Sequence, residues 1–168
     1  MSNALHPVLD VSKLVAWRHA LHRCPELGFQ LSETASYIER QLRELGIETH
    51  SEIGQVGLVG VLRKGDSNRA IGLRADMDAL KIQELNTFEY RSKTEGHMHA
   101  CGHDGHSAML LGAAEALRSL DFDGTVYFVF QPNEEHGLGA QAMIDDGLFD
   151  RFPMDAIYGM HNMPGRPA

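Results

Sequence analysis

Strands that alternate with helices along the chain predict an α/β protein, with a mixed, mostly parallel sheet covered by helices on both faces. Three observations carry that expectation. Two early segments place apolar residues at helical spacing and end at helix-stopping residues. Short apolar runs of strand length follow them. From the middle of the chain onward, a strong helix-forming run and β-branched or aromatic runs take turns. The 168 residues, 43% of them apolar, suit one globular domain with a substantial core.

The elements are expected in this order. Residues 11–23, "VSKLVAWRHALHR", read as a helix that stops before Pro25. Cys24, at its end, reads as a small buried thiol on a helix. A second helix has Ser32 as its N-cap and runs through "ETASYIERQLREL" to a stop at Gly46. "IETHSEI", "GLVGVLR" and "AIGLRA" read as strands. "GHSAMLLGAAEALRSL" reads as a buried helix beginning near Asp104. "TVYFVF" then gives a central strand, "GAQAMIDDGLF" a helix and "DAIYGM" a last strand.

Composition removes several classes of function. A net charge of −8 offers no basic surface for nucleic acid or an anionic membrane. No run approaches the roughly 18 apolar residues of a membrane span, and "MSNALHPVLDVSK" has no apolar signal core. Two cysteines, Cys24 and Cys101, far apart in a chain of this size, argue against a disulfide scaffold. A reduced, cytoplasmic protein is expected.

The polar residues then fall at strand ends. "GLRADMDAL" ends its strand at Asp76 and Asp78; "TVYFVFQPNEE" ends just before Glu134 and Glu135; "DAIYGMHN" ends at His161. The segment "EGHMHACGHDGH" crowds His97, His99, Cys101, His103 and His106 ahead of a helix. In open α/β sheets ligands bind beyond the carboxyl ends of strands, so these groups are expected at one edge. Thiolate, imidazole and carboxylate together suit zinc or a neighbouring transition metal. Cys101 and His103, two apart in a turn, can face one ion, and Asp76 with His161 can hold a second. Of the adjacent Glu134 and Glu135, one can bind metal while the other serves as general base.

Taken singly, each feature has a plain reading. The histidine-rich segment can be a solvated loop, "NEE" a charged turn, Asp76 and Asp78 turn formers, and His161 a structural hydrogen bonder. Their joint placement at strand ends points to a metal site. His97, His99 and His106 stay ambiguous, while His6, His19, His22, His50 and His136 receive no metal role.

The stretches "LHRCPELGFQLSETASYI", "GLRADMDAL", "GHMHACGHDGHSAMLLGAA", "FVFQPNEEHGLGA" and "YGMHNMPG" resemble, in order and spacing, the hippurate hydrolase / N-acyl-amino-acid amidohydrolase family. That family includes the auxin-conjugate amidohydrolases and is related to aminoacylase and carboxypeptidase G. The resemblance implies a zinc-peptidase-like α/β/α sandwich and a hydrolase of N-acyl amino acids using two divalent ions, zinc or manganese before cobalt or nickel. It implies that Cys101 (bridging), His103, Glu135 and His161 are ligands and that Glu134 is the general base. Asp76 stands where related carboxypeptidases have the histidine of a His-x-Asp motif, and Asp78 matches the aspartate that orients a ligand. His106 is family-typical without an assigned role, and the usual "QPAEE" reads "QPNEE" here. Family members run further, through a lid domain to a final histidine ligand. Residues 1–168 are therefore expected to be the N-terminal part of a catalytic domain, lacking the lid and the C-terminal segment. A small-molecule acyl-amino acid and a second copy of the chain are the expected partners. Two alternatives remain: a truncated domain that binds metal without catalysis, and a hydrolase with Cys101 as nucleophile.

Overall fold

The computed structural model describes residues 9–163. His6 lies outside them. Helix α1 spans Val11–His22, and Asp10 caps it by accepting from the backbone N–H of Ser12 at 2.9 Å. Helix α2 spans Ser32–Glu44. Ser32 is its first residue and makes no capping bond; the carboxylate of Glu26 instead takes the Thr34 N–H and hydroxyl, each at 2.7 Å. A carboxylate from outside the helix satisfies the same orphan donors and adds a favourable charge at the positive end of the helix dipole. Cys24 is exposed, not buried: α1 has already ended, and the chain turns toward Pro25 with the thiol outward.

Strands β1 (Glu48–Ile53) and β2 (Gly57–Lys64) form an antiparallel hairpin. Strand β3 (Ala70–Asp76) leads through an irregular segment to helix α3 (His103–Ser119), which returns to β4 (Gly124–Gln131). The expected single helix after β4 is two, α4 (Gly139–Asp145) and α5 (Leu148–Arg151), because the chain bends at Gly147 between them. Strand β5 (Ala156–Gly159) closes the series. The sheet order is β1-β2-β4-β3-β5. β4 is central as expected, parallel to β3 and antiparallel to β2, and β5 adds parallel to β3. The sheet is thus mixed: the hairpin side is antiparallel and the β4-β3-β5 side parallel.

Alternation along β4 splits the core. Val126, Phe128 and Phe130 face α1, α2 and α3 together with Trp17, Ile38, Leu42 and Leu111. Val129 faces the other way, onto Met143, Leu148 and Phe152. Each fully buried Leu or Phe side chain contributes roughly 1.5–3 kcal/mol by leaving water, so the thicker first layer carries most of the hydrophobic stabilisation. The second layer is thin, and β5 is a free edge: Ile157, Tyr158 and Met160 beside it are 41%, 60% and 69% exposed. Among the described residues, no helix is long and apolar enough to cross a membrane.

The parallel register decides where the site lies. Asp76 at the end of β3 pairs with Gln131 at the end of β4, and Arg74 pairs with Gly159 at the end of β5. Three strand exits therefore open at one edge of the sheet, where α3 also begins.

Candidate metal centre

Asp78, two residues past β3, organises the first part of this edge. Its carboxylate accepts from the backbone N–H of Glu134 at 3.0 Å and of Glu135 at 3.1 Å. Its backbone carbonyl lies 2.8 Å from His103 Nδ1. A carbonyl can only accept, so Nδ1 carries a proton, and in the neutral ring it is Nε2 that has the lone pair. That Nε2 is buried with no hydrogen-bond partner. It faces Glu134 Oε2 at 3.6 Å, Glu135 Oε1 at 3.8 Å and Asp76 Oδ1 at 3.8 Å. Glu135 Oε1 is also buried and unpartnered. An orphan imidazole nitrogen beside an orphan carboxylate oxygen is costly unless a cation joins them.

Cys101, just before α3, brings its Sγ to these two atoms. Sγ, His103 Nε2 and a Glu135 carboxylate oxygen all lie within 4.8 Å of one another. His161, beyond β5, repeats the tautomer logic: Nδ1 is 2.8 Å from the Asn162 carbonyl, leaving Nε2 free to face Cys101 Sγ at 3.5 Å. These four donors, of three types, match those of a borderline-soft divalent metal.

Loop geometry keeps the two glutamates apart. Gly139 closes the loop after β4, and a Cβ there would stand 1.6 Å from the Pro132 carbonyl oxygen. Asn133 takes a left-handed φ of 48° and bonds His136 Nδ1 through its side chain at 2.7 Å. The family's usual alanine here would adopt that φ less readily than asparagine does. Glu135 then points inward, 16% exposed in its side chain, while Glu134 stays 35% exposed at the rim.

Asp76 and His106 lie in the same edge, and their donor atoms fall within 4.8 Å of those of His103 and His161. Their lone pairs are already engaged. Asp76 Oδ1 bonds His106 Nδ1 at 2.6 Å, and Oδ2 takes the Arg74 guanidinium at 2.6 Å. His106 Nε2 lies 2.6 Å from the Asn162 side-chain Oδ1, to which it can donate, and 3.1 Å from the Asn162 backbone N–H, from which it can accept; either way it is engaged by Asn162. Sequence reasoning missed Arg74 and Asn162. Asn162 adjoins His161 in "MHN", and Arg74 precedes Asp76 by the two-residue period of a strand face, but neither spacing says what the side chain reaches.

The electrostatics favour a cation. Burial raises the Asp76 carboxyl, but its bond to His106 and the charges of His103 and Arg74 win and hold it at about 2. Burial likewise raises Asp78, and its bonds to His103 and to the Glu134 and Glu135 amides bring it below the ordinary carboxylate value. His103 is pushed down by burial and pulled up further by Asp78, Asp76 and Glu135, ending raised. The Cys101 thiol is pushed up to about 11, first by burial and then by Glu135, Glu134 and Asp76. Without a bound cation, burial and these carboxylates hold Cys101 as a thiol, which is the wrong form for a nucleophile.

A second buried cluster stands behind the centre. His22 lies between Asp104, 2.8 Å from Nδ1, and Glu84, 3.1 Å from Nε2. His99 is buried with both ring nitrogens unpartnered, and burial pushes it down to about 4. His99 therefore lies in the interior, outside both groups of converging donors, and His22, which the sequence left without a role, locks the start of α3.

The peptidase family M20/M25/M40 matches residues 72–168. The chain belongs to that family. It is 50% identical over 163 residues to a hippurate hydrolase of Campylobacter jejuni, covering 96% of this chain and 43% of that protein. It is 43% identical over 151 residues to an N-acyl-L-amino acid amidohydrolase of Geobacillus stearothermophilus, covering 88% of this chain and 40% of the relative. Among solved structures, the Bacillus subtilis YXEP protein, a dinuclear metal binding peptidase from the M20 family, superposes with a TM-score of 0.87 at 40% identity. That match covers 93% of this chain and 44% of YXEP. The chain spans less than half the length of these relatives.

Proposed function

We propose that this chain carries the metal-binding and proton-transfer part of a hydrolase that cleaves the amide bond of N-acyl amino acids, hippurate among them. The observation that carries the reading is the pair of buried, unpartnered atoms, His103 Nε2 and Glu135 Oε1, converging with Cys101 Sγ beside a free Glu134. The names of the relatives support the substrate class.

In this reading Cys101, His103, Glu135 and His161 would hold divalent metal, zinc or manganese before cobalt or nickel. Bound metal would lower the pKa of a water toward ~7 and polarise the amide carbonyl. Glu134, at the rim and not enclosed among the ligands, takes the proton from the attacking water and delivers it to the leaving nitrogen. Asp78 does no chemistry directly. It fixes the Glu134 and Glu135 backbone with its carboxylate and the His103 tautomer with its carbonyl, so base and ligands keep one geometry. Asp76 is given an anchoring role, since both its oxygens are taken. Cys101 as nucleophile is disfavoured by its burial and by the three nearby carboxylates, which together raise its thiol to about 11.

Residues 1–168 are read as the N-terminal part of a longer catalytic domain, a reading supported by the 43% and 44% coverage of the relatives. In that case the isolated chain binds about one metal ion, has little or no amidase activity, and self-associates through the β5 edge, where Ile157, Tyr158 and Met160 are exposed. Elemental analysis and sedimentation of the purified chain, with a hippurate hydrolysis assay, test all three. A metal-free chain at micromolar zinc or manganese would refute the ligand assignment. Rapid hydrolysis by a monomer would refute the partial-domain reading.

A further inference from the structure

His161 is the ligand that the fold does least to hold. It follows β5, a four-residue edge strand, and both His161 and Asn162 are exposed. Beyond β5, the side-chain hydrogen bonds of these two residues to the rest of the molecule, among the described residues, go to Cys101 and to His106. A ligand on so short an exit is displaced easily unless something fixes its backbone.

The fixing device is a chain of contacts rooted in the sheet. Arg74 on β3 bonds Gln131 at the end of β4 through Nε at 2.9 Å and grips Asp76 Oδ2 at 2.6 Å. Asp76 Oδ1 orients the ring of His106 on the first turns of α3. His106 Nε2 engages Asn162, either by donating to its Oδ1 at 2.6 Å or by accepting its backbone N–H at 3.1 Å. The Asn162 side chain lies against Gly102, where a Cβ would come within 2.9 Å of its amide oxygen and φ is +92°. Asn162 is therefore seated from two sides by the start of α3. Its carbonyl in turn fixes the His161 tautomer and aims Nε2 at Cys101.

We infer that His106 and Asn162 are positioning residues: the Arg74–Asp76–His106 relay seats Asn162 and so places His161 in the metal centre. The inference rests on the proposal that His161 is a ligand. It separates two histidines three residues apart on one helix. His103 offers an empty nitrogen and His106 offers none, although the distances alone would admit both to a metal cluster.

The test is Co²⁺ titration of the 168-residue chain, read by the thiolate-to-cobalt absorption band that reports attachment to Cys101, with circular dichroism to check folding. His106→Ala and Asn162→Ala should each weaken Co²⁺ binding roughly ten-fold while the thiolate band persists, as for loss of an outer-sphere support. The double variant should bind no more weakly than either single one, because both remove one linkage. His106→Gln should recover most of the affinity, since its side-chain amide reaches the place of Nε2 and can either accept the Asn162 N–H or donate to its Oδ1. Multiplying losses in the double variant would make His106 an independent ligand and overturn the inference. So would unchanged Co²⁺ affinity in Asn162→Ala, an exposed position whose replacement leaves the core untouched and which decides alone if His106→Ala unfolds. His161→Ala is the control for the underlying reading. If it binds Co²⁺ like the parent chain, the ligand assignment has failed and this inference falls with it. If it loses affinity while the His106 and Asn162 variants do not, only this inference fails.

Discussion

The two sides of the centre are built from the same chemical groups and end in opposite states. On one side, Cys101, His103 and Glu135 bring together atoms of which two are buried and bonded to nothing. On the other, Asp76 and His106 are buried, yet each of their polar atoms has a partner in Arg74, in Asn162 or in the other residue of the pair. Residue type and proximity do not separate a ligand from a strut. Unspent lone pairs do, because an unpaired buried polar atom costs roughly 1–3 kcal/mol that a ligand has to offset.

The strongest way to break that comparison is to remove an unspent atom. Glu135→Ala or Cys101→Ala should abolish metal retention in elemental analysis, exceeding the roughly 10–100-fold loss typical of outer-sphere partners. Retention of metal by both variants would erase the distinction. Glu134→Gln, made in a full-length enzyme carrying this segment, should lower kcat by about 10²–10⁴-fold with metal content unchanged, the range for losing a general acid–base group. Full activity in that variant would remove Glu134 from proton transfer.

Asp78 sharpens the comparison, being spent entirely on other site residues. Asp78→Ala should weaken metal binding about 10–100-fold and lower kcat together, because the Glu134 and Glu135 amides lose their anchor while the backbone carbonyl that His103 bonds is kept. Normal metal affinity in a folded Asp78→Ala chain would show the anchor to be dispensable. The thiols give a milder readout. Cys101 should be alkylated only after chelation, since a metal-bound thiolate is shielded, whereas exposed Cys24 should react either way. Equal labelling of Cys101 with and without zinc contradicts its ligand role.

The smallest effect belongs to the cluster behind the centre. The hydrogen bond to Asp104 raises the His22 pKa, burial opposes it, and Glu84 adds to the rise. A raised histidine stabilises the fold fully below its unfolded pKa of about 6.5, and that stabilisation is lost as pH climbs through the folded value. Tm should therefore fall by a few degrees from about pH 6 to about pH 9. His22→Gln should flatten that slope, and an unchanged slope would show that other groups set it.

Much of this was legible in the chain itself. All five strands, α1 and α2, and α3 beginning at the histidine-rich segment follow from periodicity and from stops such as Gly46, whose φ is +72°. The placing of Asp76, Asp78, Glu134, Glu135 and His161 at strand exits was readable because strands end where apolar alternation ends. Other features were not. Cys24 turns outward because α1 ends before it, and Glu26 caps α2 from eight residues before Thr34. Neither follows from a propensity.

The sequence by itself determined which segments become strands and helices and which donor types arrive at their ends, since backbone preference and side-chain period act over a few residues. It also determined the family, through motifs whose order survives in the linear chain. Tertiary structure alone decided how those donors divide. Parallel pairing of β3 with β4 and β5 sets three exits side by side, and the pitch of α3 turns His103 inward toward Glu134 and Glu135 and His106 onto Asp76 and Asn162. Whether a buried nitrogen is free depends on partners 25 to 56 residues away, and hydrogen bonds at 2.6–3.1 Å are settled only when the packed layers fix those distances.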